Sequence, residues 1–250
     1  MQGDIRGGII SFLSGVPLRL GYRAGSSRVE KISTIFNNVK ITEGKGHILE
    51  SNLNFATRLG AKPQKVSFYL YAGEDERKYI ELFLEKQGIG NKKIVLIHPG
   101  TTWITKRWPV ENYALLVDKI KTHFDDIEVI ITYSPDEKGL AEKLKGIAQY
   151  PPVISPPTTL RQLVALIERS SIFISSDTGP LHIAAGLGKK VIGLYGPIDP
   201  VRNGPYGTES IIIRKDINCS PCWRKKCTEL TCMKSITVDE VFNAFRQIYP

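Results

Sequence analysis

Two hydrophobic periods alternate along most of this chain. KIVLIHPG (93–100), IEVIITYS (127–134), SIFISSD (171–177), KKVIGLYG (189–196) and ESIIIRK (209–215) are short, nearly continuous apolar runs, each closed by polar, Gly or Pro residues. Such runs read as strands buried on both faces. Between them lie segments of helical period. PVENYALLVDKIKTHF repeats Tyr113, Leu116, Val117 and Ile120 at helical spacing, with Pro109 at its first helical position. PDEKGLAEKLKGIA predicts a second helix, and TTLRQLVALIERS a third, N-capped by Thr158 or Thr159. TGPLHIAAGLG predicts a short helix of small residues stopped by Gly188, and VDEVFNAFRQIY a closing helix.

Strands alternating with amphipathic helices imply a parallel sheet covered on both faces, a doubly wound Rossmann-like domain. Residues 1–88 read differently. GGIISFLSG, GHILESNLNFATRLG (closed by Gly60) and DERKYIELFLEKQG predict helices, while RLGYRAG and VSFYLY (66–71) predict strands. Two strands are too few for a self-sufficient sheet. The expected organisation is therefore a partial N-terminal Rossmann-like domain over 1–88, a linker from Gly88 to Lys93, and a second Rossmann-like domain over 89–250.

The chain has 250 residues, 42% of them hydrophobic and 24% charged, enough to bury one large core or two modest ones. No apolar run reaches the roughly 18–20 residues that cross a bilayer, and MQGDIRGGII lacks a basic-then-apolar leader, so a soluble cytoplasmic protein is expected. The net charge of +9 favours anionic partners without choosing among them. No basic stripe with interleaved aromatics is present, so nucleic acid is not expected as a partner.

Four segments carry candidate chemistry. His98-Pro99-Gly100-Thr101-Thr102 ends a strand, and Lys106 follows four residues after Thr102. Freed N–H groups, two hydroxyls and a nearby ammonium suit a phosphate, although a loop with a capping Thr and a solvated Lys has the same composition. Ser175-Ser176-Asp177-Thr178-Gly179-Pro180-Leu181-His182 sits where a strand hands over to a helix, a natural pyrophosphate site; Gly179 permits close backbone approach. Asp136-Glu137 opens a helix beyond a strand end, where a carboxylate meets ribose hydroxyls or simply complements the helix dipole. Cys219, Cys222, Cys227 and Cys232 are all the cysteines of the chain. Their clustering suits a structural zinc or an iron–sulfur centre, with free thiols or disulfides as the alternatives.

Together, HPGTTWITKRWP, SSDTGPLHIAAGLGKKVIGLYGP, CSPCWRKKCTELTCMKSITVDEV and GHILESNLNFATRLG resemble the ADP-heptose:lipopolysaccharide heptosyltransferase family, glycosyltransferase family 9 with the GT-B fold. The resemblance covers essentially the whole chain. It implies an inverting transfer of heptose from an ADP-heptose donor to the lipid A–core oligosaccharide, with no cofactor required for the chemistry. The expected site is peripheral to the anionic inner membrane face. The resemblance places Thr101, Thr102 and Lys106 on the donor phosphates, with Lys106 stabilising the leaving group. It also places Asp177, Thr178, Gly179, Pro180, Leu181 and His182 around the pyrophosphate and sugar, and Glu137 on the ribose. Family members begin with a strand, a Gly-rich turn and a general-base Asp, then carry an Asp-x-Gln-Gly segment. Met1-Gln2-Gly3 matches only the end of that segment, so the expectation is an N-terminally truncated member lacking the base. A catalytically inactive nucleotide-sugar-binding fragment is the alternative. A dehydrogenase reading lacks a GxGxxG after a strand.

Overall fold

The computed structural model describes residues 4–23, 30–42, 44, 46–62 and 66–249. Residues 1–3 and the end of the expected turn at 24–25 lie outside them. The chain divides into two compact units, Met1–Lys65 and Val66–Pro250.

The first unit contains α1 (Ile5–Leu13), β1 (Leu20–Tyr22), a 3₁₀ turn (Lys31–Phe36), β2 (Val39–Ile41) and α2 (Ile48–Arg58). β1 and β2 pair in parallel, Gly21 opposite Lys40. Its small core joins Tyr22, Ile41 and Phe55, with the Tyr22 and Phe55 rings edge to face at 4.7 Å. Gly60 follows α2 at φ +90°, a left-handed turn that glycine makes without strain.

The second unit opens with α3 (Glu74–Lys86) and continues β3 (Lys93–His98), α4 (Val110–His123), β4 (Ile127–Ile131), α5 (Lys138–Ile147), β5 (Val153–Ile154), α6 (Leu160–Arg169), β6 (Ile172–Ser176), α7 (Gly179–Gly186), β7 (Lys190–Tyr195), α8 (Pro200–Asn203), β8 (Ser210–Arg214), α9 (Thr231–Lys234) and α10 (Val238–Ile248). Six strands form one all-parallel sheet in the order β5-β4-β3-β6-β7-β8. The chain winds outward from β3 through β4 to β5, then returns to the other side of β3 with β6. The winding direction therefore reverses between β3 and β6, and in such sheets ligands bind beyond the strand carboxyl ends at that reversal.

Alternation along each strand sends side chains to opposite faces. Val95, Ile97, Val129 and Ile131 join α4, α5 and α10 in one core. Ile94, Leu96, Ile130 and Phe173 join α3, α6 and α7 in the other. Both faces are thus covered, which is why the strands read as unbroken apolar runs.

Three expectations differ from the structure. Val66–Tyr71 alternates like a strand but forms none, because no strand among the described residues pairs with it; Tyr69 is 96% exposed. The division between units falls at 65/66, ahead of the expected join at 88/89. Residues of α3 explain this: Ile80 and Leu84 are buried in the second unit's core, and Arg77 donates two hydrogen bonds to Glu168 on α6, at 2.8 and 3.1 Å. Pro109 is the N-cap of α4 rather than its first helical residue. Among the described residues no helix is long and apolar enough to cross a membrane.

Candidate functional site

The polar motifs fall on the loops that leave the carboxyl ends of β3, β4 and β6. The loop after β3 closes on itself: Thr101 is buried and its hydroxyl donates to the Trp103 carbonyl at 2.6 Å. That commits the Thr101 proton inside the loop and leaves Thr102 exposed. A 3₁₀ turn, Ile104–Lys106, then brings the Lys106 ammonium over the Trp103 ring, 4.7 Å from its centre.

The loop after β6 is built by capping. Thr178 is the N-cap of α7, and its hydroxyl accepts from the Leu181 N–H at 3.4 Å. The Ser175 hydroxyl meets the same oxygen at 3.0 Å. Pro180, at the first turn, has no N–H to leave unpaired. A Cβ built on Gly179 would meet nothing within 4 Å, so the space before the helix start is open. The exposed backbone there carries the partial positive charge of a helix N-terminus.

The two loops meet. Lys106 Nζ lies 2.5 Å from Asp177 Oδ2 and donates to the Asp177 carbonyl at 3.4 Å. His182 Nε2 reaches the other carboxylate oxygen of Asp177 at 3.2 Å, one turn into α7. The side chains of Lys106 and Asp177 are only 17% and 10% exposed. Burial opposes charge on Asp177. The His182 hydrogen bond and the Lys106 ammonium outweigh it and hold the carboxyl below its usual range. Two of the three ammonium protons of Lys106 are thus directed at Asp177, and a third remains for another acceptor.

Glu137 closes the 3₁₀ turn after β4, Pro135–Glu137, and one of its oxygens accepts from the Ser134 N–H at 3.3 Å. The same oxygen lies 3.6 Å from His98 Nε2, and the other lies 3.8 Å from an Arg107 nitrogen. The other side of the His98 ring, Nδ1, meets the Thr132 hydroxyl at 3.0 Å. Burial drives His98 below the ordinary histidine range, against the pull of Glu137, so the ring is neutral at pH 7. Arg107 also donates to the Thr101 carbonyl at 3.0 and 3.3 Å. His98 was a named part of the first motif without a role, and Arg107 had none. Their signal was only position, near Gly100 and Lys106, since Thr132 and Glu137 lie on a different loop of the chain.

The cysteine segment is tied to the same end of the sheet. The Thr105 hydroxyl donates to the Arg224 carbonyl at 2.8 Å, and the N–H groups of Cys222 and Trp223 both donate to the Pro197 carbonyl. Lys225 places a second ammonium 5.1 Å from the centre of Trp103. All four thiols are free. Cys219 and Cys227 are exposed, Cys222 is half-buried and Cys232 is buried. Burial pushes the Cys232 thiol up, and the neighbouring thiols push it the same way. Among the described residues, no three His, Cys, Asp or Glu side chains are grouped to hold a metal ion. As arranged here, the four sulfurs do not fit the expected zinc or iron–sulfur centre.

The site thus holds an ammonium, an open helix start and a polar wall of Glu137, His98 and Arg107, all at the winding reversal of a doubly wound sheet. Solved structures share this architecture. The glycosyl transferase family 9 protein of Veillonella parvula superposes with a TM-score of 0.77 over 98% of this chain and 71% of that one, at 17% identity. E. coli heptosyltransferase WaaC with ADP superposes with a TM-score of 0.70 over 98% of this chain and 70% of that one, at 20% identity. Among curated proteins, the lipopolysaccharide core heptosyltransferase OpsX of Haemophilus influenzae is 29% identical over 235 residues, 92% of this chain. The chain spans 65% of OpsX, less than two thirds of its length. The model of glycosyltransferase family 9 (heptosyltransferase) matches residues 1–233, and the chain belongs to that family.

Proposed function

We propose that this chain moves a heptose from ADP-heptose to the lipopolysaccharide inner core with inversion. In this reading a sugar hydroxyl of the lipid A–core acceptor attacks the anomeric carbon. The bond from that carbon to the diphosphate breaks, and ADP departs with the bonding electrons. Lys106 carries the charge that develops on the leaving diphosphate. The segment Asp177–Gly179 offers its backbone to the pyrophosphate and sugar, with Pro180 and Leu181 building the helix start behind it and His182 beside it. Thr102 supplies a hydroxyl and Thr101 its backbone to the phosphates, while Glu137 takes the ribose. The proton of the attacking hydroxyl passes to water, since none of these residues is assigned to receive it. The second unit, residues 66–250, is the nucleotide-sugar domain in this reading, and residues 1–65 belong to the acceptor side.

The observation that carries the reading is the Lys106–Asp177 contact, which joins the loops of β3 and β6 at the sheet's winding reversal. WaaC, a similar protein, has been solved with ADP and with ADP-2-deoxy-2-fluoro heptose. The relative OpsX is a lipopolysaccharide core heptosyltransferase by name. The net charge of +9 suits work at the anionic cytoplasmic face of the inner membrane, where the acceptor lipid lies. No cofactor enters this chemistry.

The test is transfer itself, with the acceptor presented on anionic or neutral vesicles. The expected result is a mass gain of one heptose on the acceptor with release of ADP, faster on the anionic surface. ADP binding without transfer would reduce the protein to a nucleotide-sugar binder. Failure to bind ADP at all would remove the nucleotide site.

A further inference from the structure

The strongest unexplained arrangement in the second unit is the setting of Glu137. Its side chain is 11% exposed, yet only one hydrogen bond within the described residues accounts for it, the Ser134 N–H at 3.3 Å. A capping glutamate needs no more than that. This one has in addition a closely shaped seat. A Cβ built on Gly100 would lie 2.1 Å from the Glu137 carboxyl carbon, and 2.1 and 2.4 Å from its oxygens. Nothing in the Gly100 backbone requires glycine, since its φ is not positive. A side chain at this position would displace the carboxylate from its seat.

Two nitrogens face the seated group. His98 Nε2 stands 3.6 Å from one oxygen and an Arg107 nitrogen 3.8 Å from the other. Both distances exceed a hydrogen bond; in the tautomer whose Nδ1 accepts from the Thr132 hydroxyl, the neutral ring turns its Nε2–H toward the carboxylate, as Arg107 turns its charge, and neither consumes the carboxylate's acceptor capacity. His98 is itself fixed by the Thr132 hydroxyl and by burial, and Arg107 by the Thr101 carbonyl. Arg107 therefore links the seat of Glu137 to the loop that carries Lys106.

We infer that His98 and Arg107 are positioning residues which, with the bare backbone of Gly100, hold the Glu137 carboxylate in one place so that it reads the ribose hydroxyls of the bound nucleotide. The inference rests on the reading of Glu137 as the ribose contact. Its own content is that ribose recognition is lost when the seat is changed, even with Glu137 present.

The experiment measures binding of ADP, 2′-deoxy-ADP and 3′-deoxy-ADP by calorimetry. Variants are Glu137→Ala, Gly100→Ala, His98→Leu, His98→Gln and the double variant Gly100→Ala/Glu137→Ala. Wild type should prefer ADP to one of the deoxy nucleotides by about tenfold or more, as a hydrogen bond to a charged group would give. Glu137→Ala should abolish the preference. Gly100→Ala and His98→Leu should reduce it several-fold, whereas His98→Gln, which keeps an N–H near the Nε2 position, should retain most of it. Gly100→Ala should cost nothing further in the Glu137→Ala background; that double variant shows that the loop still folds and binds ADP. Should Glu137→Ala abolish the preference while Gly100→Ala and His98→Leu discriminate as wild type does, the positioning role is refuted and the ribose reading stands. If wild type shows no preference, or Glu137→Ala keeps it, the ribose reading fails first and the inference with it.

Discussion

Replacing Lys106 by Met keeps the length and apolar stem of the side chain and removes its charge. The structure sets the size of the effect. At about 4 Å and an effective dielectric near 20, an ammonium and one phosphate charge attract by roughly 4 kcal/mol. Lys106 does not give all of this to a ligand, because Asp177 Oδ2 is already 2.5 Å away and keeps part of the interaction. The net value of a charge-assisted hydrogen bond, about 1.5–3 kcal/mol, is therefore the better figure, and it corresponds to about 10- to 150-fold in Kd. Lys106→Met should weaken ADP by that factor. Adenosine, which has no diphosphate, should change little. The dependence of ADP affinity on salt should also flatten, since a charge facing the ligand has gone. Calorimetry with both ligands at two salt concentrations measures this, and a thermal melt checks the fold, because Asp177 loses one of its two cationic or N–H partners. Equal losses for ADP and adenosine would mean that the loop had collapsed rather than lost a phosphate contact. An unchanged ADP affinity would refute the convergence of the two loops on a diphosphate.

Asp177 makes an acid-stability prediction. Its folded pKa lies below the unfolded value of about 3.9, so its stabilisation is present above about pH 4 and is lost as pH falls through the folded value. The stability advantage of wild type over Asp177→Asn, from denaturant melts across pH, should be full at neutral pH and shrink below pH about 4; a constant difference would show that the carboxylate is not held by charge. For the cysteines, no ligand grouping exists among the described residues, so protein purified anaerobically should contain neither zinc nor iron at one per chain; a stoichiometric metal by elemental analysis would mean that the 219–232 segment rearranges around it.

Much of the second unit was legible in the sequence because its strands are buried on both faces. An apolar run such as Ile94–Ile97 has one reading when it is bounded by Pro-Gly and followed by a helical period. The split of that run between two cores, Ile94 and Leu96 on one face and Val95 and Ile97 on the other, follows from the pleat alone. Val66–Tyr71 shows the limit of a local pattern. Its alternation is as good as a strand's, but a strand is a relation between two segments, and the second was never in the local pattern. β5 failed in the opposite sense: its two residues lie between prolines and carry no periodic signal, yet they pair with Ile130 and Ile131.

The candidate site was legible to the same depth. A cap from Asp177 or Thr178, Gly179 as open backbone and Lys106 as a cation each have a local sequence reason. The contact between Lys106 and Asp177 spans 71 positions, however, and exists only because β6 returns to pair beside β3. Placing β6 there puts the helix start that follows it next to the loop that leaves β3, and the winding reversal opens the ground between them. The cation, the helix start and the carboxylate seat are thus three consequences of one strand order. The Gly100–Glu137 fit belongs to it as well, since β3 and β4 are neighbours whose loops must pack at the same end. A sequence reading names the parts of such a site one loop at a time. Their distances are set by sheet register, which no single loop contains, and this is why His98 and Arg107, whose partners all lie across that register or around the loop, went without a role until the strands were placed.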